Sequence, residues 1–158
     1  MDAAEWMKRF KSFHQEMREG KLSGERLRDY LDGREQLALS MVKGQGLLIP
    51  EGSTARKAFR VAQAYQLEID GVIRTLTRDV SLGGFSALLS SSPRVDDVVR
   101  FKLTMSKSVE PLAGDARVVS SVRQTGNSRV SVQFLRLPDA DLERLEMALF
   151  DAVLVRFG

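Results

Sequence analysis

Two arginines four residues apart, Arg56 and Arg60, stand in the run Ala55-Arg56-Lys57-Ala58-Phe59-Arg60. Whether that run is helical or extended, the spacing brings both guanidinium groups to one side. Further along comes Arg78-Asp79-Val80-Ser81-Leu82-Gly83-Gly84-Phe85. On a strand, Asp79 and Ser81 share a face while Val80 points the other way, into a core. Gly83 and Gly84 permit a positive φ and so a tight turn round a flat ligand. Together these residues suit a guanine nucleotide. Guanine O6 and N7 accept from an Arg fork, and its N1 and N2 hydrogens suit a carboxylate such as Asp79. Ser81 can donate or accept. The second Arg is then available for phosphate, where charge-assisted bidentate bonds are strong. Each piece alone has a plainer reading: solvated surface charges for the arginines, an ordinary turn for the Asp79–Gly84 run.

The elements that must position these residues change in kind along the chain. Residues 1–50 read as helical. Trp6, Phe10, Phe13 and Met17 form one narrow stripe at helical spacing. Gly20 ends that helix. Ser23 is the candidate cap of a second helix, with Asp32-Gly33 a candidate break, because Gly inside a helix costs about 1 kcal/mol relative to Ala. Gly44 and Gly46 end the region, and Pro50-Glu51-Gly52-Ser53 reads as a linker.

Residues 51–158 read as a second domain. Six short runs rich in Val, Leu and Phe are separated by turn residues: Phe59 to Ile69, Val72 to Val80, Phe85 to Leu89, Val98 to Met105, Ala113 to Val122 and Arg129 to Leu135. Asp70-Gly71 and Thr125-Gly126-Asn127 read as hairpin turns. The expected class is mainly β with flanking helices: a small closed or nearly closed barrel. A last helix is capped by Asp139. Its two apolar stripes, Leu142-Leu145-Leu149-Val153 and Met147-Phe150-Leu154-Phe157, together exceed the arc of about 100° usual for a surface helix. One half can cover the barrel; the other calls for the N-terminal helices, in the same chain or across a homodimer.

Composition narrows the chemistry. With no cysteine and a single histidine, His14, the chain has no thiolate nucleophile, no disulfide and no site needing two imidazoles. His14, beside the Trp6 stripe, reads as a helix-surface residue. Asp96-Asp97 reads as a solvated turn rather than a metal pair. No phosphate loop, nucleophile elbow or metal-ligand cluster is present in the sequence, so no enzyme, cofactor or metal is expected. The net charge of +3 is too small to argue for nucleic acid, and exposed aromatics for base stacking are lacking. No apolar run approaches the roughly 18 residues of a membrane span. Acids in Met1-Asp2-Ala3-Ala4-Glu5-Trp6 stand where a secretory signal has a basic region. A cytoplasmic protein is expected.

The two motifs in this order resemble the paired signature of the PilZ domain family, bacterial receptors for cyclic di-GMP. That signature is Arg-x-x-x-Arg before the first strand, then Asp/Asn-x-Ser-x-x-Gly one hairpin later. The matches are Arg56 and Arg60, then Asp79, Ser81 and Gly84. The resemblance covers residues 54–157. It implies a six-stranded antiparallel barrel with a C-terminal helix, arginines in a loop that folds over cyclic di-GMP, and Asp79 and Ser81 against a guanine, with the Gly83-Gly84 turn beside them. Ala55 and Ser131 stand where such domains often carry a basic or polar residue and a Gly, respectively. The implied function is a receptor that passes the signal to a protein partner of unknown identity. The alternative is an interaction adaptor on the same barrel that does not bind the nucleotide.

Overall fold

The structure is a computed structural model and describes residues 2–156. It divides into two compact units. One holds the chain up to Phe59 together with the stretch from Val153 onward; the other is Arg60–Ala152.

The first unit is built on helices α1 (Ala3–Arg18) and α2 (Gly24–Gly44), followed by a single turn, α3 (Ala55–Ala58). Asp2 caps α1 by accepting from the Glu5 N–H at 2.8 Å. Trp6 stacks on Phe10 with ring centroids 5.4 Å apart, and Phe10 stacks on Tyr30 of α2 at 5.3 Å. Two expectations fail here for one reason, the contact between α1 and α2. Gly33 does not break α2, which runs through it to Gly44. A Cβ at Gly33 would lie 2.9 Å from Phe10 Cδ2, so the missing side chain gives the ring its place. His14 is buried rather than on the surface. Its Nδ1 is 2.6 Å from the Tyr30 hydroxyl, and that hydroxyl accepts from Arg34 Nε at 2.8 Å. Arg34 is fully buried, its guanidinium 4.7 Å from the centre of the Tyr30 ring.

The second unit is a closed six-stranded antiparallel barrel in the order β1-β2-β3-β6-β5-β4. Its strands are β1 (Gln66–Ile69), β2 (Ile73–Ser81), β3 (Gly84–Leu89), β4 (Val98–Thr104), β5 (Leu112–Gln124) and β6 (Asn127–Phe134). Alternation is cleanest in β4, where Val99, Phe101 and Leu103 are buried between exposed Val98, Arg100 and Lys102. Inside, Phe101 lies 5.8 Å from Phe85 and 5.1 Å from Phe134. The turn at Asp70-Gly71 has φ of 53° and 72°, as a tight hairpin needs. Asp96, at φ 76°, sits in a turn that Asp97 closes by accepting from the Arg94 N–H.

The first strand is shorter than the sequence suggests, and the cause lies in β2. Thr77 Oγ1 accepts from the Tyr65 N–H at 2.9 Å and donates to the Gln63 carbonyl at 2.6 Å. A side chain thus does what a strand ladder would do. The register of β2 on β3 shifts between Thr77 and Asp79 at the same point. Upstream, Val61 pairs with Val80, and the Tyr65 carbonyl accepts from the Thr77 N–H at 2.9 Å.

Helix α4 (Asp139–Arg156) begins at its expected cap, one residue earlier than the sequence suggests. The Pro138 carbonyl accepts the first helical bonds, from Asp141 at 2.9 Å and Leu142 at 3.0 Å, so Asp139 is already in the first turn. Leu145, Glu146, Leu149, Phe150, Val153 and Leu154 are buried. At about 100° per residue they span about half the circumference. From Val153 the helix belongs to the unit that holds α1 and α2. Phe157 of the expected second stripe lies outside the described residues. Among the described residues no helix is long and apolar enough to cross a membrane.

Tyr65 sets a pH dependence of the barrel. Burial, and then the Asp151 carboxylate, push its phenol up to about 12, against about 10 in an unfolded chain. The unfolded chain therefore releases this proton first. The stability tied to it is full below about pH 10 and is lost as pH rises to about 12. Urea midpoints should fall across that window, and more steeply in the wild type than in Tyr65→Phe. Equal slopes would show that Tyr65 does not govern this limb.

Candidate functional site

The site residues of the barrel unit are placed by one short pairing. Val61 and Val80 exchange both backbone bonds, at 2.8 and 2.9 Å, and both side chains are fully buried. Their chain neighbours Arg60 and Asp79 therefore face outward, because side chains alternate along extended chain. There Arg60 and Asp79 form an ion pair. Asp79 Oδ1 accepts from Arg60 Nε at 2.7 Å and also from Nη2. The two side chains keep 37% and 34% of their exposure, so the pair is open to solvent.

Ser81, two residues from Asp79 on β2, is less accessible than Asp79. It is buried, and its hydroxyl accepts from the Gly83 N–H at 3.2 Å and lies 3.5 Å from the Gly84 carbonyl. A serine hydroxyl that bonds the backbone two residues on closes a turn. Its role here is to hold the Leu82-Gly83 turn, across which Ser81 pairs with Gly84.

Nor do Gly83 and Gly84 use a positive φ; neither is among the glycines that do. The requirement at Gly84 is space. A Cβ there would lie 1.9 Å from the carbonyl oxygen of Val132 in β6. Next to it, the Gly83 carbonyl accepts from the Phe134 N–H at 2.8 Å. The turn is thus bound to β6 as well as to its own strands. Across the same face the register runs Asp79 to Ser86 to Ser131. Ser86 escapes a reading from motifs, although its place two residues beyond Gly84 puts it on the same face of β3.

Arg56 belongs to the other unit and sits in α3, half-buried. The N–H groups of Ala55 and Arg56 donate to the two carboxylate oxygens of Glu35 in α2, at 2.7 and 3.3 Å. Glu35 carries no sequence signal toward this turn, since it lies 20 residues upstream of Ala55 on another element. Pro50-Glu51-Gly52-Ser53 forms a turn closed by the Ser53 N–H on the Pro50 carbonyl, with Gly52 at φ 79°. Among the described residues no group of three or more His, Asp and Glu side chains is placed to hold a metal ion.

The family model of the PilZ domain matches residues 54–151, and the chain belongs to that family. Among solved structures, the motility inhibitor MotI of Bacillus subtilis is 17% identical, with a TM-score of 0.55 over 60% of this chain and 49% of MotI. YcgR of Escherichia coli, solved in complex with c-di-GMP, is 22% identical, with a TM-score of 0.51 over 63% of this chain and 46% of YcgR. At these identities the likeness is one of fold, and the chain spans about half the length of either protein. No curated protein matches the chain.

The close approach at Gly84 can be tested without ligand. Gly84→Ala should lose about 3 kcal/mol or more, since a backbone carbonyl must move to admit the methyl. Gly126→Ala, at φ 83° with nothing within 4 Å, should lose only about 1 kcal/mol from its backbone conformation. Equal shifts in the urea midpoint would mean that the β3–β6 contact is not the constraint.

Proposed function

We propose that this PilZ-family chain is a receptor for cyclic di-GMP and has no catalytic activity of its own. The observation that carries the reading is the outward ion pair of Arg60 and Asp79, beside a glycine turn and within the matched family region. In this reading residues 51–158 bind the nucleotide and residues 1–50 are an extension. The Asp79 carboxylate accepts from guanine N1–H and N2–H. The Nε and Nη2 bonds that Arg60 makes to Asp79 both fall on Oδ1, which leaves Oδ2 as the acceptor for an incoming guanine edge to approach. Arg60 then turns to a phosphate or to guanine O6 and N7, and Arg56 takes a second such contact. Ser81, Gly83 and Gly84 hold the turn against which the base lies.

In the same reading, closing of the Arg56–Arg60 segment on the ligand is the event that a protein partner senses. The energetics favour such exchange. A pair that is about one-third exposed contributes at most about 1 kcal/mol to folding, so opening it demands little from the ligand. The chemistry also selects the base: adenine has an acceptor at N1 and cannot satisfy a carboxylate there.

Calorimetric titration tests the reading. Cyclic di-GMP should bind the wild type, and cyclic di-AMP far more weakly. Arg60→Ala removes a charge-assisted contact of roughly 1.5–3 kcal/mol, so affinity should drop about ten- to a hundredfold. Absence of binding by the wild type at micromolar protein would end the receptor reading and leave the adaptor. Equal affinity in wild type and Arg60→Ala would show that the nucleotide sits elsewhere.

A further inference from the structure

The turn that carries Arg56 is too short to stand alone. Helix α3 has four residues, well under the roughly 12 that an isolated helix needs to be even marginal in water. Its own N-cap residue, Thr54, makes no side-chain capping bond. The ten residues between α2 and α3 hold one hydrogen-bonded turn, Pro50 to Ser53, and a highly exposed Leu48. What the first turn of a helix lacks is partners for its leading N–H groups. Here the partner is the Glu35 carboxylate, one oxygen on Ala55 N–H at 2.7 Å and the other on Arg56 N–H at 3.3 Å. A capping function that normally comes from the residue before the helix comes instead from the middle of α2.

Accepting the receptor reading above, we infer that Glu35 is a positioning residue for the ligand: it orders the Arg56 turn through the backbone and so raises affinity without touching the nucleotide. An arginine on an ordered turn gives up less freedom on binding than one on a flexible segment. The same bonds make α2 a handle on the site. Whatever draws Glu35 away from α3 weakens binding, and by reciprocity the ligand tightens the contact between Glu35 and α3.

Charge alone predicts the opposite sign. A carboxylate near an anionic ligand repels it, and removing that charge would strengthen binding. Cyclic di-GMP titrations of wild type, Glu35→Ala, Glu35→Gln and Arg56→Ala, and of the double variant Glu35→Ala/Arg56→Ala, separate the possibilities. Melting curves on the same samples confirm that each is folded. Glu35→Ala should weaken binding about fivefold, the usual effect of losing a cap. Glu35→Gln keeps one amide oxygen as acceptor and should fall between Ala and wild type. With Arg56 already replaced, Glu35→Ala should change affinity little, because the residue acts through Arg56. Without ligand, amide exchange at Ala55 and Arg56 should speed up in Glu35→Ala while the barrel strands keep their protection.

Tighter binding by Glu35→Gln, or an equal loss from Glu35→Ala with and without Arg56, overturns the inference. No binding by the wild type overturns the receptor reading and this inference together. Wild-type binding with an unchanged Glu35→Ala overturns this inference alone.

Discussion

At Gly84 the backbone of β3 comes so near the Val132 carbonyl of β6 that there is no room for even a methyl group. Much of the outer face follows from that contact. It seats β3 against a strand that is not its neighbour in sequence, which a closed order of β1-β2-β3-β6-β5-β4 requires. It brings the Gly83 carbonyl to the Phe134 N–H and so fixes the Leu82-Gly83 turn from outside its own hairpin. Ser81 then bonds back onto that turn. With the end of β2 fixed, Val80 can hold Val61, and the pairing of two buried valines turns Arg60 and Asp79 outward together. A glycine that reads as a flexible joint is here a point of close packing, and the ion pair is its consequence several bonds away.

The ion pair has the strength its place requires. Fully buried, a guanidinium and carboxylate would be costly to separate, because each would be left without a partner in a dry site. Fully exposed, water and salt would screen them, and their positions would not be set. At about one-third exposure, on a strand paired with β3, the carboxylate lies between these two cases. The shorter aspartate side chain has fewer rotatable bonds than the arginine that meets it.

The elements that were legible in the sequence are those whose signals are local. Alternation in β4 gives its extent to within a residue, the Asp70-Gly71 turn follows from its residue types, and the Trp6 stripe marks α1. What escapes is settled by a partner far along the chain. Nothing near Gly33 says that Phe10 will need its missing side chain, and nothing near His14 says that Tyr30 will bury it. The stretch before β1 is rich in strand-forming residues, yet Thr77 Oγ1 takes over its bonds to Gln63 and Tyr65. The same division holds in the site. The motif marks Arg56, Arg60, Asp79, Ser81 and Gly84 by type and spacing, but the buried hydroxyl of Ser81 and the carbonyl against Gly84 belong to the fold. Glu35 belongs to no motif, because a carboxylate that binds two backbone N–H groups leaves no pattern in the residues it serves.

The two arginines of the motif are ordered by different means, and the difference matters for how each can serve a ligand. Arg60 is held through its guanidinium, by Asp79. For it to serve a ligand, that bond must be exchanged for another, so its net contribution is a difference between two charge-assisted contacts. Arg56 is held from α2 through its backbone, by the bond of its N–H to Glu35 at 3.3 Å. The ordering cost of that backbone is met in folding, before any ligand arrives. Two residues of one type, four apart in one motif, are thereby ordered in two ways, one through its side chain and the other through its backbone.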